Sequence, residues 1–256
     1  MVDESRLPKK LGKEPLLEAL FECRFTTRHP VSNILPGILF SESFGEGSQL
    51  ERLLPQSEIP EAIRNTDPSL QYAPLVRIRE QDYSFLIGDR SVAVACNFPY
   101  KGWEHFKSKI TMLINTLSKS KLIDKVTRYS TKYVNLIQST DPIEQVNLVN
   151  LSLKIGNHSL KEEVYQVRME IPRDGFISVI QVISGVKVTM LSDGTPREGV
   201  VIDIDTIKGT DGDGILVEQL EQDLNKSLDE IHTVSKKTFF DCLTKQTRQQ
   251  LEPEYE

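Results

Sequence analysis

An α+β fold of two similar halves, each a mostly antiparallel sheet covered by one long helix, is the architecture this sequence predicts. Two observations carry it. Segments that alternate apolar and polar residues, the period of a half-buried strand, recur along the chain, and two later segments carry apolar residues at three- and four-residue intervals, the stripe of a helix lying on a sheet. The order of these elements also repeats, strands then a long helix, around a boundary at Asp141-Pro142, which divides the chain into 1–141 and 142–256, either as two domains or as one continuous domain.

The first strand is PLLEALFECRF at 15–25, where Ala19, Phe21, Cys23 and Phe25 alternate with Glu18, Leu20, Glu22 and Arg24. Residues 30–72 are punctuated by Pro36, Pro55, Pro60 and Pro68, so only short helices fit there, near 33–42 and 58–65. A meander follows over 74–98 with a turn at Gly88-Asp89. The spacing of Trp103, Phe106, Ile110, Leu113 and Leu117 predicts a helix over 101–119. The strand at 125–137 points Tyr129, Thr131, Tyr133 and Asn135 one way. In the second half, strands are expected near 146–154, 162–171 and 176–191, then VVIDIDTI. A helix striped by Val217, Leu220, Leu224, Leu228 and Ile231 follows, and a terminal helical pair around 238–243 and 246–251 has Thr244 as a cap.

The chain has 256 residues, 38% hydrophobic and 27% charged, an ordinary balance for a globular protein. No segment reaches the roughly 20 apolar residues of a membrane span, and the polar start MVDESRLPKKLGKEP has no apolar signal region, so a cytoplasmic location with no membrane association is expected. Cys23, Cys96 and Cys242 are too scattered for a disulfide framework. A formal net charge of −6 weighs against a broad nucleic-acid footprint, although Lys107, Lys109, Lys119, Lys121, Lys125, Arg128 and Lys132 make 107–132 locally basic. Such a run usually marks a solvated helix face.

The segment PLLEALFECRF also resembles the N-terminal signature of a sporadically distributed family of uncharacterised prokaryotic proteins of similar length, in which proline, an aliphatic residue and Glu-Ala lead through apolar positions to Arg-Phe. Gly102-Trp103-Glu104-His105-Phe106, Tyr133-Val134-Asn135, Ile202-Asp203-Ile204-Asp205, His232 and Phe239-Phe240 extend the resemblance over nearly the whole chain. Lys132 stands where that family often has Arg, and 30–72 carries extra residues. The resemblance implies no agreed chemistry. The patchy occurrence of such proteins, as of mobile or accessory genes, implies a role in toxin neutralisation (toxin-antitoxin systems) or antiviral phage defence by analogy.

Four aspartates crowd GVVIDIDTIKGTDGDG at 199–214. On a strand, Asp203 and Asp205 face one side about 7 Å apart and could share a hard cation. The calcium-loop template fails, because counting from Asp211 puts Ile215 fifth and Gln222 twelfth, and Asp211-Gly-Asp213-Gly reads as a turn before a helix. His29, His105, His158 and His232 have no zinc spacing, and no nucleophile elbow or phosphate loop is present, so no cofactor is expected. His232 reads as a C-terminal helix cap.

Three functions follow, in order of support. The first is a non-enzymatic protein-interaction protein, its partner encoded nearby and bound at a polar sheet face of Glu18, Glu22 and Arg24, joined by Tyr133 and Asn135 if they share that face. The second is a nucleic-acid binder using a curved sheet with Lys121, Lys125, Arg128 and Lys132, and the third a metal-dependent phosphohydrolase using Asp203 and Asp205.

Overall fold

The computed structural model describes residues 7–42, 44, 47–52, 54–96, 98–189, 194–210 and 212–255. Its strands and helices, in chain order, are β1 (Lys10–Leu11), β2 (Leu16–Thr26), α1 (Leu35–Glu42), β3 (Gln49–Arg52), α2 (Glu61–Thr66), β4 (Val76–Glu80), β5 (Tyr83–Ile87), β6 (Ser91–Cys96), α3 (Trp103–Ser120), β7 (Lys125–Gln138), α4 (Pro142–Leu148), β8 (Lys154–Ile155), β9 (His158–Ser159), β10 (Gln166–Arg173), β11 (Phe176–Thr189), β12 (Pro196–Gly209), α5 (Val217–Gln222), α6 (Leu224–Cys242), α7 (Lys245–Gln250) and β13 (Pro253–Glu254). The fold is mixed, with a large antiparallel sheet of nine strands in the order β10-β11-β12-β7-β2-β6-β5-β4-β3. No helix among the described residues is long and apolar enough to cross a membrane.

Two compact units divide the chain. One gathers Met1–Leu17, Lys132–Thr206 and His232–Glu256, and the other Glu18–Thr131 and Ile207–Ile231. In the latter, Phe21, Cys23 and Phe25 of β2 are buried with Val92 and Val94 of β6 and with Phe85 and Ile87 of β5. The register explains this, since Phe21 lies opposite Val94 and Cys23 opposite Val92, so apolar positions of neighbouring strands fall on one face. Helix α3 lays Phe106, Ile110, Leu113 and Leu117 on that unit's core, all fully buried. Two of its side chains hold α6: Trp103 Nε1 donates to Asp229 Oδ1 at 2.9 Å, and Lys107 Nζ meets Asp229 Oδ2 at 2.7 Å.

In the first unit, Val200, Ile202 and Ile204 of β12 and Ile180 and Val182 of β11 pack with Phe239 and Phe240 of α6. Gly199 of β12 lies so close to β7 that a Cβ there would overlap the Ile137 carbonyl. The alternation expected for VVIDIDTI is therefore present, with its isoleucines inside and Asp203 and Asp205 half-buried on the other side.

Several elements of the second half differ from the sequence expectation. The expected strand near 146–154 begins instead as helix α4, because Asp141 caps it: its carboxylate accepts from the Ile143 N–H at 2.9 Å, and Pro142 occupies the first helical position. The Asp-Pro pair thus marks a helix start. The helix expected from Val217 breaks at Asp223 into α5 and α6, and α6 absorbs 238–242 of the expected 238–243 helix because nothing in 233–242 interrupts it. Thr244 does cap α7, accepting from the Thr247 N–H at 3.3 Å. Of the expected acidic turn, Asp211 lies outside the described residues; Gly212 and Gly214 both take positive φ (58° and 103°), the backbone a turn needs.

Chemical denaturation will rank three substitutions from this packing. Ile202→Asp buries an unpaired carboxylate and will cost about 3 kcal/mol or more. Gly199→Ala must part β12 from β7 and will also destabilise strongly, whereas Asp141→Ala, which removes only a cap, will cost about 1 kcal/mol.

Candidate partner-binding face

On β2, Glu18, Leu20, Glu22 and Arg24 point away from the buried row of Ala19, Phe21, Cys23 and Phe25. Across the β2–β6 register these residues face small neighbours: Leu20 lies opposite Ala95, Glu22 opposite Ala93 and Arg24 opposite Ser91. The charged side chains therefore stand on a low floor and interact with one another. Arg24 Nε donates to Glu22 Oε2 at 2.7 Å, and Arg128 of β7 approaches the same oxygen to 3.8 Å. The Arg24 guanidinium sits 4.4 Å over the Tyr72 ring, a cation–π contact that fixes its plane. One carboxylate held between two guanidinium groups, with Glu18 exposed farther along the strand, makes a mixed-sign face. Such a face can pair with a partner's charged side chains through planar, bidentate hydrogen bonds.

Tyr133 and Asn135 are not on it. Alternation along β7 sends Arg128 and Lys132 to one side and Tyr129, Tyr133 and Asn135 to the other. Tyr129 stacks toward Phe21 with centroids 6.5 Å apart, and burial pushes its phenol up. In the first unit, the Tyr133 hydroxyl lies 3.1 Å from Nδ1 of His232, and Asn135 is buried. His232 is not a C-terminal cap either, because α6 continues ten residues past it to Cys242, and its imidazole meets Tyr133 rather than a helix end.

The basic run 107–132 is largely spent inside the molecule. Lys107 meets Asp229 at 2.7 Å, Lys109 meets Glu80 at 2.8 Å, Lys121 meets Glu218, Lys125 lies 3.9 Å from Asp213, and Lys132 meets Asp203 at 2.9 Å. Lys121 closes α3 in the left-handed conformation, φ 55°, and its ammonium holds the exposed Glu218 carboxyl below the usual carboxylate range. Phosphate binding draws on cations whose charge is uncompensated, so these pairs remove most of what a nucleic acid would use. None of the partners could be read from spacing, since Lys107 and Asp229 are 122 residues apart.

The Lys132–Asp203 pair also bears on the metal reading. An ammonium at 2.9 Å already balances the Asp203 charge, so Asp203 and Asp205 do not form a bare pair of carboxylates. Among the described residues no group of three or more His, Cys, Asp or Glu gathers as a metal-holding set. Cys23 and Cys96 are buried, and burial pushes both thiols up, which keeps them protonated and unreactive; the Cys242 thiol rises to about 11.

No protein-family model matches the chain, and no curated protein matches it in sequence.

The ion pair gives a test that separates it from a metal site. Asp203→Asn will cost less than about 1 kcal/mol, as expected for a partly exposed pair, and the cost will shrink in high salt. Adding Mg2+ or Mn2+ to the native chain, or EDTA, will leave its thermal midpoint unmoved; a bound ion would raise it by mass action.

Proposed function

We propose that this chain is a non-enzymatic cytoplasmic protein whose work is to bind another protein, encoded nearby, through the mixed-charge face of Glu18, Glu22, Arg24 and Arg128. The observation that carries this reading is the immobilised Glu22–Arg24 pair with Arg24 seated on Tyr72. Ordering charged side chains before binding lowers the entropy a partner must overcome. The net charge of −6 and the internally paired lysines favour a protein partner over a nucleic acid. The N-terminal signature supports membership of the sporadically distributed prokaryotic family it resembles, and with it an accessory or toxin-neutralising role in a mobile or phage-defence locus. The recurrence of short helix, antiparallel meander and long helix, first as α1, β4–β6 and α3 and then as α4, β10–β12 and α6, supports two similar halves meeting near Asp141.

Affinity purification from the native host, with the genomic neighbour's product as the named candidate, tests this. The native chain will recover that protein in stoichiometric amount, and the Glu18→Lys, Arg24→Gln double variant will lose it while keeping its fold by circular dichroism. Retention of the partner by the variant would remove this face from the reading. Binding to duplex DNA with a salt slope of several units, at about 0.9 per phosphate neutralised, would replace the reading with the nucleic-acid one.

A further inference from the structure

Strand β10 is the last of its sheet, and among the described residues no strand pairs with its other edge. Its eight residues, Gln166-Val-Arg-Met-Glu-Ile-Pro-Arg173, join β11 through a two-residue turn, Asp174-Gly175, with φ of 52° and 77°. Such a turn makes its flanking residues, Arg173 and Phe176, exchange both backbone hydrogen bonds. Alternation then commits Ile171, Met169 and Val167 to β11 as well, and the Ser184 N–H that donates to the Tyr165 carbonyl at 3.0 Å continues the same phase. The N–H and C=O groups of Gln166, Arg168 and Glu170 consequently point outward, and the N–H that Pro172 lacks is missing from the free edge, where a proline is tolerated.

A free edge of this length is a template for another strand, and edges are commonly protected by charged side chains, a proline or a bulge, so what β10 accepts depends on the sign and order of its charges. Here the outward positions carry charges of opposite sign, Arg168 and Glu170, equidistant from Met169, both more than half exposed and 2.7 Å apart within the chain, a solvated pair that can exchange partners at little cost. Met169 itself is 46% exposed. We propose that this edge is a self-association edge, at which β10 of a second copy of the chain pairs antiparallel about Met169. In that register Arg168 faces Glu170 of the second copy and Glu170 faces its Arg168, so each pair joins both backbone bonds to an opposite-charge side-chain contact. Gln166 donates to the carbonyl of the second copy's Pro172. Val167 faces Ile171 and Met169 faces its equivalent; Val167 and Ile171 already pack against the buried core of their unit, so that apolar layer continues into the second copy. Sliding the strands by one step in either direction sets Arg168 against Arg168 or Glu170 against Glu170, and like charges directly opposite are destabilising. One register is thus selected.

Sedimentation equilibrium of the full chain over rising concentration tests the proposal. The mass will move from 29.1 kDa to twice that value. Arg168→Glu and Glu170→Arg will each weaken association at least about tenfold, and the swapped double variant will restore it, with thermal midpoints close to the native value at concentrations where the chain is monomeric, because both side chains are exposed. Met169→Cys, in the otherwise native chain, will form an intermolecular disulfide on mild oxidation, since a non-hydrogen-bonded antiparallel pair brings Cα atoms to about 4.5 Å, within disulfide range. A mass that stays monomeric at every concentration overturns the proposal, as does a dimer that the single charge reversals leave intact or that Met169→Cys fails to cross-link.

Discussion

Alternation along β7 is the constraint on which the rest of the molecule depends. With a period of two, a strand of fourteen residues must serve two environments, and each substitution of face would move every side chain at once. Its odd positions supply Tyr129 to one buried layer and Tyr133 and Asn135 to the other unit's, and the two phenols find partners on α6 in Ser227 and His232. Its even positions supply Arg128 and Lys132, which meet Glu22 and Asp203. The same register that buries Phe21 beneath Tyr129 therefore also builds the charged face above it.

Much of this was legible in the sequence. The alternation of β2 and of VVIDIDTI, the stripe of α3 and the short helices among the prolines follow from local periodicity, which is what a strand or helix needs to bury one face. Other features were not. Helix α4 starts at an Asp-Pro pair that local reading treats as a boundary, because a cap and a turn use the same residues for the same reason, a side-chain oxygen accepting a backbone N–H. The length of α6 is not legible locally, because Val217–Ile231 already satisfies a helix of ordinary size. In the candidate site, spacing alone puts Glu18, Glu22 and Arg24 together, whereas Tyr133 and Asn135 join them only if separate strands share a phase. The phase between β2 and β7 is a tertiary quantity. So are the partners of Lys107, Lys109 and Lys132, which the chain brings from far away.

The distribution of charge follows one pattern. Carboxylates outnumber ammonium and guanidinium groups, 37 against 31, and most cations of the locally basic segment stand beside a carboxylate. Lys107 and Lys109 are held against carboxylates at partly buried positions, where screening by salt is weaker than at the exposed Lys121. The arrangement favours recognition by matched pairs over long-range attraction.

The hydrogen bond from Trp103 to Asp229 has a spectroscopic meaning. Trp103 is the chain's one tryptophan, and its indole lies at the start of α3, edge-on to Phe106 at a centroid distance of 6.2 Å. Its emission is consequently a local gauge of whether α3 and the first turns of α6 are docked within their unit. The phenols of Tyr133 and Tyr165 and the rings of Phe239 and Phe240 belong to the other unit and contribute little to that signal. A fluorescence trace of unfolding therefore follows one unit, a far-ultraviolet dichroism trace follows both, and the separation between the two curves measures how cooperatively the units melt.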